Sequence, residues 1–112
     1  MKLIKAIVKP GRLQDVKNAL AAAGVEGLTI TEVRGYGRQK GKKEVYRGTA
    51  FEPDLLQKVS VELAVEAKDV DKIIDVIRQT ANTNTIGDGK IFVTPLEEVV
   101  RIRTGERGTD AL

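Results

Sequence analysis

The strongest constraint on this chain is that one arrangement occurs twice: an apolar strand, a short break, an amphipathic helix and a second strand. Met1–Val8 is apolar at Leu3, Ile4, Ala6, Ile7 and Val8. Both parities are represented, so both faces of that strand should be covered. Lys9-Pro10-Gly11 ends it, and Arg12–Ala23 reads as a helix with Leu13, Val16 and Leu20 at helical spacing and Gly24 as its stop. Leu28–Gly35 is rich in β-branched residues and reads as the second strand. The second round begins at Leu56–Val65, where Val59, Val61, Leu63 and Val65 alternate with Lys58, Ser60, Glu62 and Ala64. Asp69–Ala81 carries a helical stripe of Val70, Ile73, Ile74 and Ile77, and the loop Asn82–Lys90 leads into the strand Ile91–Val93. Glu97–Thr104 predicts one more short strand, and the polar Gly105–Leu112 a mobile tail.

Between the halves, from about 37 to 55, the periodicity disappears into glycines and charges. Loops of that length inside a compact domain are usually functional or disordered. Glu44-Val45-Tyr46-Arg47-Gly48 puts an aromatic and an arginine at its tip, residue types favoured in interface hot spots. Two strand–helix–strand halves so joined describe an α+β, ferredoxin-like βαββαβ sandwich in a single domain, 1–112, with both helices on one face of the sheet. The first strand is apolar on both faces while helices cover only one. An oligomer that covers the open face is therefore expected.

Composition removes several chemistries. With 112 residues the chain can bury a modest core, built from Val, Ile, Leu and Ala because aromatics are few. It has no cysteine and no histidine, which excludes disulfide scaffolds, thiolate nucleophiles, imidazole bases and the usual zinc sites. No apolar run is long enough to span a membrane and no signal-peptide h-region is present, so a cytoplasmic protein without direct membrane insertion is expected. The net charge of +3 is spread over Arg34–Lys43, Lys58, Lys90 and Arg101–Arg107, which suits cations converging on a small anion as well as it suits a nucleic-acid face.

The chemistry concentrates in Thr83–Leu96. Gly87 and Gly89 flank Asp88 and let backbone N–H groups approach an anion, and Lys90 adds a cation at the exit. Taken alone, Gly-x-Gly-Lys reads as readily as a tight turn with a solvated lysine. A Walker loop is rejected, because the position five before Gly89 is Asn84 and the residue after Lys90 is Ile91, which offers no hydroxyl to a metal.

The wider pattern is more specific. Thr-x-x-x-Gly-Asp-Gly-Lys-Ile-Phe-Val-x-x-Leu from Thr83, the run Gly35–Gly41, the tripeptide Tyr46-Arg47-Gly48 and the run Val100–Glu106 together resemble the PII nitrogen-signalling family, in order and over essentially the whole chain. The resemblance implies a non-enzymatic homotrimer that binds ATP or ADP in clefts between subunits. By matched position, Gly87, Asp88, Gly89 and Lys90 would hold phosphates, with Arg38 reaching in from the root of the long loop. Arg101 and Arg103 would come from the neighbouring chain, two apart on a strand and hence on one face. Thr29, Gly37 and Ala64 would line the base and ribose. The resemblance further implies 2-oxoglutarate bound with Mg2+ beside ATP, with Lys58 on its distal carboxylate, Gly87 nearby and Gln39 assisting the metal. Glu44, Tyr46, Arg47 and Thr49 would form the partner-binding loop tip. The implied target is an ammonium transporter, which would recruit the protein to the membrane, with a metabolic enzyme as the other class of partner.

Ala64 is smaller than the valine common at that position in the family, and two further stretches depart from the family pattern. Phe51 stands where many members carry a modifiable tyrosine, and a phenyl ring cannot accept a nucleotidyl group. Thr83-Asn84-Thr85 replaces the usual Thr-Gly followed by a charged residue; asparagine tolerates positive φ, so the turn can be kept. Three other readings fit the pattern less well. They are a divergent relative sensing adenylates only and regulating another transporter or a metabolic enzyme, an RNA-binding ferredoxin-like module, and a small-acid enzyme. The RNA module has only Phe92 to stack a base, and the enzyme lacks a catalytic pair.

Overall fold

The computed structural model describes residues 1–37, the backbone of 45–46 and 49–50, and residues 55–112. The strands are β1 (Lys2–Val8), β2 (Thr29–Gly35), β3 (Val45–Tyr46), β4 (Thr49–Ala50), β5 (Leu56–Val65) and β6 (Lys90–Pro95); the helices are α1 (Leu13–Ala22) and α2 (Val70–Ala81). The main sheet has the order β2-β5-β1-β6, and every neighbouring pair in it is antiparallel. This is the ferredoxin-like arrangement, with β3 and β4 forming a separate two-stranded pair inside the connection between the halves.

The two halves repeat in detail. Each long strand ends in one extended residue, Lys9 or Glu66, followed by a single 3-10 turn, Pro10–Arg12 or Ala67–Asp69. The helices therefore start one residue later than the sequence pattern suggests. Gly24 takes φ 97° just past α1, the left-handed stop that a glycine provides there. Arg12 crosses between the halves and donates from Nε to the Thr80 carbonyl at 2.8 Å, satisfying an acceptor that the last turn of α2 leaves open.

The core lies between helices and sheet. Ile4, Ala6 and Val8 of β1, Val59, Val61 and Leu63 of β5, Val16 and Leu20 of α1, and Ile73, Ile77 and Ala81 of α2 are all buried. Each fully buried large aliphatic side chain contributes roughly 1.5–3 kcal/mol of transfer free energy, and the period-2 and period-3.6 stripes select these residues.

The other face of the sheet has no helix over it. Leu3, Lys5 and Ile7 lie on that face opposite Ala64, Glu62 and Ser60, and Lys90, Phe92 and Thr94 continue the rows on β6. Phe92 is 48% exposed there. Ser60 is buried, with a hydroxyl that has no hydrogen-bond partner among the described residues.

The C-terminal region differs from expectation. Residues 97–104 do not form a strand; they make one bridge, Val100 to Arg107, around a turn. Gly105 and Gly108 take φ 74° and 67°, and Arg101 and Gly105 close the turn through Arg101 N to Glu106 O (2.9 Å) and Gly105 N to Arg101 O (2.8 Å). The backbone bonds that a strand would offer a neighbour are thus spent locally. Nor is 105–112 a loose tail: Gly108–Ala111 is a 3-10 turn, anchored by Gly108 N to Val99 O at 3.0 Å.

Candidate functional site

The loop from Asn82 to Gly89 joins α2 to β6 and takes three left-handed residues, Asn84 (φ 58°), Gly87 (φ 98°) and Gly89 (φ 95°). Asn84 holds its conformation with local help: the Asn82 side-chain oxygen accepts from Asn84 N at 2.8 Å. Gly89 has a second reason to be glycine. A Cβ there would meet the Ile7 carbonyl oxygen at 1.6 Å, so the loop enters β6 pressed against the backbone of β1.

Asp88 organises the loop from inside. Its carboxylate accepts from Thr83 N (2.8 Å), Thr83 Oγ1 (2.5 Å) and Thr85 N (3.4 Å). The Thr83 hydroxyl, then the Thr83 amide, hold the acid well below the usual carboxylate range. Since Thr83 gives its one hydroxyl proton to Asp88, Thr85 is the donor in the 2.6 Å contact between the two hydroxyls. The Asp88 carboxylate is therefore engaged within the loop itself.

Two lysines reach the loop from the sheet. Lys9 Nζ lies 3.2 Å from Asp88 Oδ1 and donates to Thr83 Oγ1 (3.2 Å) and Thr85 Oγ1 (2.5 Å). Lys58 Nζ donates to the Gly87 carbonyl at 2.6 Å. Burial lowers the Lys58 pKa, the Lys9 charge lowers it further, and Asp88 partly offsets both. Lys9 was not among the residues singled out by sequence. Its only signal is a cation one residue beyond a strand, and its partners lie more than seventy positions away.

The structure brings Gly87, Asp88, Gly89 and Lys58 together, with Lys90 directly following at the start of β6. Thr29 and Ala64 share the open face of the sheet, Thr29 opposite Glu62 and Ala64 opposite Leu3. Gly37 is exposed. Arg101 and Arg103 are elsewhere. Strand β6 runs from Lys90, opposite Ile7, to Pro95, opposite Lys2, so it leaves the loop behind by about 17 Å. Beyond it Arg101 pairs with Glu106 (3.0 Å) and donates to the Leu112 carbonyl (3.2 Å), while Arg103 is exposed in the turn. The two arginines are therefore not two teeth on one strand face, and within one chain they do not meet the glycine loop. Arg38, Gln39, Glu44, Arg47 and Phe51 lie outside the described residues; Tyr46 and Thr49 are paired across β3 and β4.

Among the described residues no group of three or more carboxylates gathers to hold a metal, and no helix is long and apolar enough to cross a membrane. The family profile described as nitrogen regulatory protein P-II matches residues 1–106. Three curated relatives, each described as nitrogen regulatory protein P-II, align over the full length of both chains. They are 55% identical in Azospirillum brasilense, 54% in Rhodospirillum rubrum and 53% in Microchaete diplosiphon. With this fold and this loop, the chain belongs to the nitrogen regulatory protein P-II family, as a signal-transduction protein of nitrogen metabolism and not an enzyme.

Proposed function

We propose that the chain, as one domain over 1–112, binds ATP or ADP through the Thr83–Lys90 loop and uses that binding to set the state of its long loop. The observation that carries this reading is a charge imbalance. Lys9 and Lys58 reach the loop and Lys90 leaves it, while Asp88 is the one carboxylate inside it, so the cradle is net positive. Gly87, Asp88, Gly89 and Lys90 then face the phosphates, with Arg38 from the loop root, and Thr29, Gly37 and Ala64 line the base and ribose. The open sheet face, carrying exposed Phe92 and half-buried Leu3 and Ile7, is the surface a homotrimer would cover. The distance of Arg101 and Arg103 from their own chain's loop fits their serving a neighbour's.

With ATP in place, 2-oxoglutarate and Mg2+ form the second input, the keto acid held by Lys58 near Gly87 and the metal assisted by Gln39. Hard oxygen donors for Mg2+ would then come mainly from ligand oxygens. The loop tip, Glu44, Tyr46, Arg47 and Thr49, docks on the target. An ammonium transporter is the target of choice and a metabolic enzyme the second, and Phe51 carries no nucleotidyl modification. Ligands that engage the loop root differently favour different loop states, and partners select among them.

Isothermal titration calorimetry with ATP and ADP, then with 2-oxoglutarate in Mg-ATP, tests this. Nucleotide binding followed by ATP-dependent keto-acid binding is expected, with light scattering reporting a trimer. Nucleotide binding alone would favour an adenylate-only sensor. Binding of neither would remove the proposal.

A further inference from the structure

We propose that Lys9 is a positioning residue of the phosphate loop: its ammonium ties the limb leaving α2 to the limb entering β6 and holds the backbone between them in its binding shape. The inference rests on the reading that this loop receives phosphate.

The geometry leaves Lys9 little else to do. Its ammonium has three protons, and three acceptors surround it: Asp88 Oδ1 at 3.2 Å, Thr83 Oγ1 at 3.2 Å and Thr85 Oγ1 at 2.5 Å. Thr83 and Thr85 lie on the first limb and Asp88 on the second, so one side chain spans the loop. The network closes on itself, because Asp88 in turn accepts from the amides of Thr83 and Thr85. Lys9 and Asp88 are only 24% and 20% exposed, which shields the pair from the screening that makes most surface ion pairs weak. The sheet register explains the placement. Val8 opposite Val59 is the last pair of the β1–β5 ladder at this end, which sets Lys9 beside Lys58. Two ammonium groups on neighbouring strands repel, and the Asp88 carboxylate is the anion that lets both stay. Lys58 secures the loop at the Gly87 carbonyl while Lys9 secures it at the threonines. A lysine whose protons are all taken up by the loop acts on a ligand through loop shape rather than by touching it.

The test uses Lys9→Met, which keeps the length of the side chain and removes its charge and donors, and Lys9→Arg, which keeps the charge. Amide exchange of Thr83 and Thr85 is followed by NMR without ligand, and ATP affinity by calorimetry. In Lys9→Met both amides should exchange about tenfold faster, with ATP binding weakened about tenfold, the scale of one lost charge-assisted bond. Amides of β1 and β5 should keep their protection, and Lys9→Arg should recover part of both losses. Unchanged exchange at Thr83 and Thr85 in folded Lys9→Met would overturn the assignment. Weakened ATP binding with unchanged exchange would overturn it too, by making Lys9 a direct ligand. If the unaltered protein binds no ATP, the proposed function fails, and the exchange result still decides the role of Lys9. Thr85→Val removes the shortest Lys9 contact and gives the same reading should Lys9→Met not fold; added to Lys9→Met it should cause little further loss.

Discussion

The Thr83–Gly89 loop and the segment 97–112 look alike in sequence: polar, punctuated by glycine and outside α1 and α2. Their structures are held differently. The loop has its own Asp88 network and is also tied from outside, by Lys9 across 74 and 76 positions and by Lys58 across 29. The C-terminal segment is fixed from within. Arg101 pairs with Glu106 five residues on, Thr104 Oγ1 donates to the same carboxylate at 2.8 Å, and Gly108 N reaches back ten residues to Glu98. A loop stapled to two neighbouring strands shares their rigidity and can present a pre-formed surface at little ordering cost. A segment stapled to itself keeps its shape but offers Arg101 already engaged, so a phosphate must displace Glu106 to use that guanidinium fully.

The largest expected effect comes from breaking the loop's outer support. Gly89→Ala drives a Cβ into the Ile7 carbonyl at a left-handed φ, and should cost about 3 kcal/mol of stability by thermal or denaturant unfolding. A loss under about 0.5 kcal/mol would mean the loop is not pinned to β1 after all.

Acid should separate the two regions next. The folded-state pKa of Asp88 is depressed, so its contribution is fully present above the ordinary carboxylate value near 4 and is lost only as pH falls through the lower folded value. Protection of the Thr83 amide should therefore persist at pH 4 and fail in stronger acid. Loss at pH 4 itself would show that the threonine network does not hold the carboxylate.

Glu106→Gln is the smallest change. The Arg101–Glu106 pair is 39% and 44% exposed, so a stability change of no more than about 0.5 kcal/mol is expected, with Thr83 and Thr85 exchange untouched. A change in loop exchange would show that the two regions are coupled and would break the comparison.

Much of the fold was legible because its signals are local. The alternation of Leu56–Val65 marked β5 at its observed ends, and the stripe of Asp69–Ala81 marked α2 to within a residue. Strand β6 runs longer than its apolar run, Ile91–Val93, because pairing with β1 continues through Thr94 and Pro95. Glu97–Thr104 reads as a short strand and is not one: left-handed Gly105 and the Arg101–Glu106 pair turn the chain back on itself. The shared face assigned to Arg101 and Arg103 fell with that strand. Gly87, Asp88 and Gly89 stand together in the motif, Lys58 joins them only through the family resemblance, and positive φ at Asn84 follows from what asparagine tolerates. The roles of Asp88 and Gly89 were less visible, since an internal acceptor and a backbone contact leave no mark on residue type.

Sequence alone determined the two helices and the four strands of the main sheet, and the glycine loop on which a family signature could rest, because periodicity and turn chemistry act over a few residues. Tertiary structure alone decided that Lys9 and Lys58 meet that loop, that Gly89 must clear Ile7, and that Arg101 lies at the far end of β6. Those are contacts between positions separated by tens of residues, and only the register of β1 against β5 and β6 brings them together or keeps them apart.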